Sequence, residues 1–157
     1  MNNADPANAS EIANAVNLVG KACYRLVAVV GPAGSGKTAV LRKLDDSGEA
    51  SYLNLGLELS QRLVNLSRRQ RRLDAAGLVE DILEESSSEV LAVDNTEIIF
   101  EPSLKLSPLG LLQTVSRRRT LIWSCQGVAE AGYVVHAYRG HPEYCRLPAK
   151  DFEVVAL

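Results

Sequence analysis

The string Gly-Pro-Ala-Gly-Ser-Gly-Lys-Thr at 31–38 follows an apolar run, Leu26-Val27-Ala28-Val29-Val30, and precedes a helix-like stretch, Ala39 to Leu44. Strand, glycine-rich loop and helix form the setting in which GxxxxGKT (a P-loop, or Walker A string) is a phosphate site rather than a coincidence. Gly31, Gly34 and Gly36 let the backbone turn tightly with no side chain between it and a ligand. Successive N–H groups then converge on phosphate, aided by the dipole of the following helix. Lys37 would reach the β- and γ-phosphates, and the Thr38 hydroxyl would complete a Mg²⁺ shell. The candidate nucleotide-binding set is therefore Gly31, Gly34, Ser35, Gly36, Lys37 and Thr38.

A chain of 157 residues accommodates one three-layer α/β core but no large second domain. The expected fold is a P-loop NTPase domain over residues 10–157, with a mostly parallel sheet of about five strands. No C-terminal helical lid domain is expected. Residues 1–9 are small and polar and are expected to be disordered. The formal charge of -2 gives no global attraction to nucleic acid or to an anionic membrane. No apolar stretch is long enough to span a bilayer, and the N-terminus lacks a signal core. Three cysteines, Cys23, Cys125 and Cys145, make no disulfide framework, so a cytoplasmic setting is expected.

In chain order, Ile12, Val16 and Val19 recur at helical spacing before a first strand at 24–30. Near-continuous apolarity marks that strand as buried and parallel. Ser51–Asn54 reads as a second strand. Leu55, Leu59, Leu63 and Leu66 form a helical stripe running into Arg68-Arg69-Gln70-Arg71-Arg72, and a further helix spans 73–86. Val90-Leu91-Ala92-Val93-Asp94 is a third strand ending in a carboxylate, which a P-loop protein brings beside Mg²⁺. Residues 98–102 read as a linker. Ser107 and Pro108 start a helix that closes with Arg117-Arg118-Arg119. Thr120–Trp123 is a fourth strand ending at Ser124, and 132–138 a fifth. The tail from Gly140 shows little helical periodicity.

Hydrolysis needs a group that orients water. Glutamate often follows the strand-3 aspartate, but here that position is Asn95, and the nearest acid is Glu97. Glu97 faces the γ-phosphate if the chain turns sharply after Asp94 and points elsewhere if it stays extended. Asn95 positioning water, or a domain that binds ATP with slow turnover, are the alternatives. Ser124 either senses the γ-phosphate or is a turn serine after a buried Trp123. Arg117–Arg119 either answer a helix dipole or place an arginine, Arg119, in the γ-phosphate site of a neighbouring subunit. Arg68, Arg69, Arg71 and Arg72 are candidates for gripping DNA phosphate, an acidic partner or an anionic kinase substrate. Cys125, His136, His141 and Cys145 are zinc ligand types without zinc spacing, and coincidence is the better account. No NKxD-type string is present, so adenine is the default base.

Together these segments resemble BrxF, the small P-loop protein family of type 3 BREX anti-phage defence systems. The resemblance runs through GPAGSGKT at 31–38, YLNLGLELSQRL at 52–63, LAVDNTEIIF at 91–100, PSLKLSPLGLLQTVSRRRTLI at 102–122 and GHPEY at 140–144. The stretch between DNTEIIF and SRRRT is its most specific part. It implies an ATPase subunit working beside a site-specific DNA methyltransferase and other defence proteins. It also implies ATP binding by Gly36, Lys37 and Thr38, with Mg²⁺ on Asp94. Without a helical lid, closure over the nucleotide is expected to need a second copy or a partner, hence an oligomer. A small-molecule or nucleotide kinase, and a nucleotide-binding interaction module with little hydrolysis, are the competing functions.

Overall fold

The computed structural model describes residues 5–157. Helix α1 spans Pro6–Val19, with the Asp5 carboxylate accepting from the Ala7 amide and proline in the first turn. That cap starts the helix four residues before Ser10, so the disorder expected over 1–9 fails for 6–9. Residues 1–4 lie outside the described chain. Strand β1 (Leu26–Gly31) leads through the glycine-rich loop into α2 (Lys37–Asp46). Then come β2 (Ser51–Asn54), α3 (Leu55–Leu63), α4 (Arg68–Glu85) and β3 (Val90–Asp94). Two 3-10 turns, Thr96–Phe100 and Pro102–Leu104, precede α5 (Pro108–Ser116). Strands β4 (Thr120–Glu130), β5 (Tyr133–His136), β6 (Cys145–Pro148) and β7 (Glu153–Ala156) complete the chain.

The sheet runs β2-β3-β4-β1-β7, all parallel, with β5 and β6 added antiparallel beyond β4. Helices cover both faces because the strands are apolar on both. Leu26, Ala28, Val30, Leu91, Val93, Leu121 and Trp123 share a core with α3, α4 and α5. Val27, Val29, Ala92, Ile122 and Val155 pack with α1 and α2 on the other face. This is a three-layer α/β arrangement. No described helix is long and apolar enough to cross a membrane.

Three departures from the sequence expectation have physical causes. First, the fifth parallel strand is β7, not 132–138: Ala131 and Gly132 both take positive φ and fold β4 back onto β5 as a hairpin. Second, β4 continues six residues past Ser124 to Glu130 because that hairpin gives it a partner. Third, α3 stops at Leu63 and the arginines open a new helix. Ser67 and Gln70 form a capping box, each side chain bonding the other's backbone.

Arg71 belongs to this joint. Its Nε donates to Leu63 O at 2.9 Å and Leu66 O at 3.0 Å, and a guanidinium nitrogen donates to Val64 O at 3.3 Å. It satisfies carbonyls freed at the end of α3, so only Arg68, Arg69 and Arg72 of the four stand exposed. Arg71→Ala is expected to cost about 1–2 kcal/mol, read as a lower urea midpoint with unchanged slope.

Candidate functional site

The C-terminal ends of β1 and β3 meet the middle of β4, around Ser124 to Gln126, at one end of the parallel sheet, and the chemistry-bearing residues gather there. In the loop after β1, Gly34 and Gly36 adopt φ of 78° and 94°, which a residue with a Cβ rarely takes. Gly31 has no such φ; a side chain there would run into that of Ser35. No side chain caps the N-terminus of α2, which leaves its amides open toward the loop's concave side. Lys37 Nζ folds back over the loop, 2.9 Å from Gly31 O, 2.8 Å from Pro32 O and 3.4 Å from Ser35 Oγ. Burial pulls the lysine below its ordinary pKa, while the charges of Glu97 and Asp94 work against that.

Asp94 is 3% exposed at the end of β3, and three hydroxyls converge on it. Thr38 Oγ1 donates to Oδ2 at 2.6 Å, Tyr52 OH donates to Oδ2 at 2.8 Å, and Ser124 Oγ donates to Oδ1 at 2.7 Å. Burial alone would raise its pKa. The hydrogen bonds from Thr38, Ser124, Tyr52 and the Asn95 amide outweigh that and hold the carboxyl below its ordinary range. Burial and the bond to Asp94 push the Tyr52 phenol up to about 12, so it stays a donor. Its ring carries the Arg42 guanidinium 4.2 Å from the centroid.

The chain does turn sharply after Asp94. Asn95 sits at φ 52°, in the left-handed region that asparagine tolerates, and leads into the first 3-10 turn. Thr96 Oγ1 donates to Ser124 O at 2.5 Å and accepts from Trp123 Nε1 at 2.9 Å, which pins the turn to β4. Gly56 permits the turn from the other side, since a Cβ there would meet Asn95 O at 2.8 Å. Glu97 consequently lines a cleft of about 380 Å³ together with Pro32 and Ala33 of the loop.

The chain matches no protein-family model, no curated protein and no solved structure.

Lys37, Thr38, Asp94 and Glu97 thus lie near one another although they come from distant segments. Ser124 is neither at a strand end nor in a turn: it is 2% exposed within β4 and orients Asp94. Arg119 does not join them. It precedes Thr120, the first residue of β4, at the far end of the sheet from the loop. Of its neighbours, Arg117 bonds Tyr24 OH at 2.9 Å and Arg118 pairs with Glu84, whereas Arg119 Nη1 is buried without a partner. The expected role of Arg119 beside the γ-phosphate therefore cannot be served within one chain. Tyr52, Thr96 and Gly56 went unnoticed in the sequence, where nothing in their spacing marks them.

The oxygens of Thr38 and Asp94 suit Mg²⁺, which takes one or two carboxylates and completes its shell with water and phosphate. Among the described residues, no cluster of three or more His, Cys, Asp or Glu is placed to hold a metal. Burial, with Glu97 nearby, pushes the Cys125 thiol up to about 12. At pH 8 its thiolate fraction is then on the order of one in ten thousand. Iodoacetamide at that pH is expected to label exposed Cys23 and spare Cys125 until the protein is unfolded, with peptide mass spectrometry as the readout.

Proposed function

We propose that this chain is a Mg-dependent, ATP-binding P-loop subunit with ATPase activity. The observation that carries the proposal is the 2.6 Å hydrogen bond from Thr38 to Asp94, beside a lysine folded over a glycine-rich loop. It joins the first turn of α2 to the end of β3 across the intervening β4, and a Mg-triphosphate held by the loop would need both groups.

Bound Mg-ATP would supply the transferable phosphoryl group and the divalent charge. The amides of Gly34, Ser35 and Gly36 cradle phosphate, and Lys37 neutralises it. Thr38 and Asp94 would hold the metal, while Ser124 and Tyr52 keep the carboxylate ionised and fixed. Glu97 orients the attacking water. The cleft beside it gives the kinase alternative a foothold, since an acceptor could enter there; that cleft is open rather than closed.

By resemblance to BrxF, we place the subunit in a cytoplasmic phage-defence complex. Arg119 acts there on the nucleotide of a neighbouring copy or partner. Direct DNA contact falls to Arg68, Arg69 and Arg72, which crowd the positive end of a helix dipole and gain nothing from it. Steady-state phosphate release, with and without duplex DNA and with light scattering on the same sample, tests this. Mg-dependent release that rises as larger species form is expected. Folded protein that binds Mg-ATP yet releases no phosphate at any assembly state would leave the non-hydrolysing interaction module.

A further inference from the structure

Where α3 stops and α4 begins, a groove of about 400 Å³ opens on the surface. Leu63 and Val64 at the end of α3 form one wall, Arg71 of α4 another, and Ile98 and Leu104 of the two 3-10 turns a third. Arg71 is already bonded to the carbonyls of the joint, so it shapes the groove and brings no free donor set to it.

The apolar lining continues beyond the groove. Leu55, Leu59 and Leu63 face the core, whereas Leu57 and Val64 are 53% and 64% exposed. Leu57, Ser60 and Val64 recur at i, i+3 and i+7, on one face of the helix. Ser60 and Val64 line the groove, so Leu57 extends it by about one turn. Single exposed apolar residues are ordinary, but these two stand in line with an apolar groove.

The charge beside this strip is one-sided. Residues 68–74 carry four arginines and one aspartate. The first turn of α4 holds no acid, so its arginines crowd the positive end of the dipole uncompensated. Arg68 lies three residues before Arg71 on the same side of the helix, and Arg72 follows Arg68 by one turn. Both are exposed, and neither makes an ion pair among the described residues. The groove's carboxylate, Glu101, already accepts from the Ser103 amide at 3.2 Å. DNA phosphate would answer the arginines and leave Leu57 and Val64 in water. A chain segment bearing both carboxylates and apolar side chains answers the two together.

We propose that this surface docks an acidic amphipathic segment of a partner protein. Its apolar side chains cover Leu57, Val64 and the groove, and its carboxylates meet Arg68 and Arg72. Nothing in this surface depends on bound nucleotide.

A displayed library of random peptides, selected on the intact chain, supplies the probe. Enriched peptides are expected to combine acidic residues with apolar ones at helical spacing, and synthetic copies to bind saturably in fluorescence anisotropy. Val64→Asp, and the double reversal Arg68→Glu with Arg72→Glu, should each weaken that binding at least about tenfold. All three side chains are exposed, so the urea midpoint should stay in place. No enrichment, or peptides that bind both variants as tightly as wild type, would overturn the docking site. A short DNA duplex is titrated in parallel. If it outcompetes the peptides and ignores Val64→Asp, the arginines serve DNA and the proposal fails. Light scattering on the free chain tests the remaining occupant. A dimer that Val64→Asp dissolves would put a second copy in the groove and overturn the partner segment.

Discussion

Lys37→Ala is expected to lower Mg-ATP affinity by at least about a hundredfold while leaving the fold intact. The ammonium already lies over the loop, bonded to the carbonyls of Gly31 and Pro32 and to Ser35 Oγ, so little needs to reorganise when phosphate arrives. Two charge-assisted hydrogen bonds to phosphate at about 1.5–3 kcal/mol each amount to a factor of roughly 10² or more. The lost contacts of the free protein are all within one loop, so the urea midpoint should scarcely move. Displacement of a fluorescent ATP analogue measures the affinity. Retained binding would mean that the nucleotide uses another surface.

Glu97→Gln should separate the competing functions that Lys37→Ala cannot. The carboxylate sits on the turn that Asn95 initiates and the Trp123–Thr96–Ser124 bonds hold in place, at the edge of the cleft beyond the loop. Gln keeps the size and removes the charge. Turnover is expected to fall about 10²- to 10³-fold, the usual worth of a positioned base, with Mg-ATP affinity within a few-fold of wild type. Single-turnover phosphate release reads the first quantity and fluorescent displacement the second. Unchanged turnover would clear Glu97 and move attention to Asn95, whose left-handed backbone is otherwise explained by the turn itself.

The parts legible in the sequence were those fixed by local pattern. A five-residue apolar run before GPAGSGKT marks strand, loop and helix, and a second run ending in Asp94 marks another buried strand. Which strands adjoin is a tertiary choice, and the insertion of β4 between β1 and β3 is what brings Ser124 to Asp94. The Ser67–Gln70 capping box could have been read, and with it the separation of α3 from α4. The β4–β5 hairpin was harder. Its turn, Ala131-Gly132, lacks the Asn-Gly or Asp-Gly that usually announces one, and β7 offers only Glu-Val-Val-Ala as a strand. Tyr52 was invisible for a different reason: an edge-strand tyrosine becomes a ligand of Asp94 only through the β2–β3 register.

The whole account turns on whether the loop, Lys37, Thr38 and Asp94 form one receptor for a metal–triphosphate. Isothermal titration calorimetry of ATP into wild-type protein, in Mg²⁺ and again in excess chelator, addresses that directly. One saturable site per chain that weakens sharply when Mg²⁺ is removed is the predicted result. Folded protein that takes up no ATP in Mg²⁺, or takes it up equally well in chelator, would contradict it.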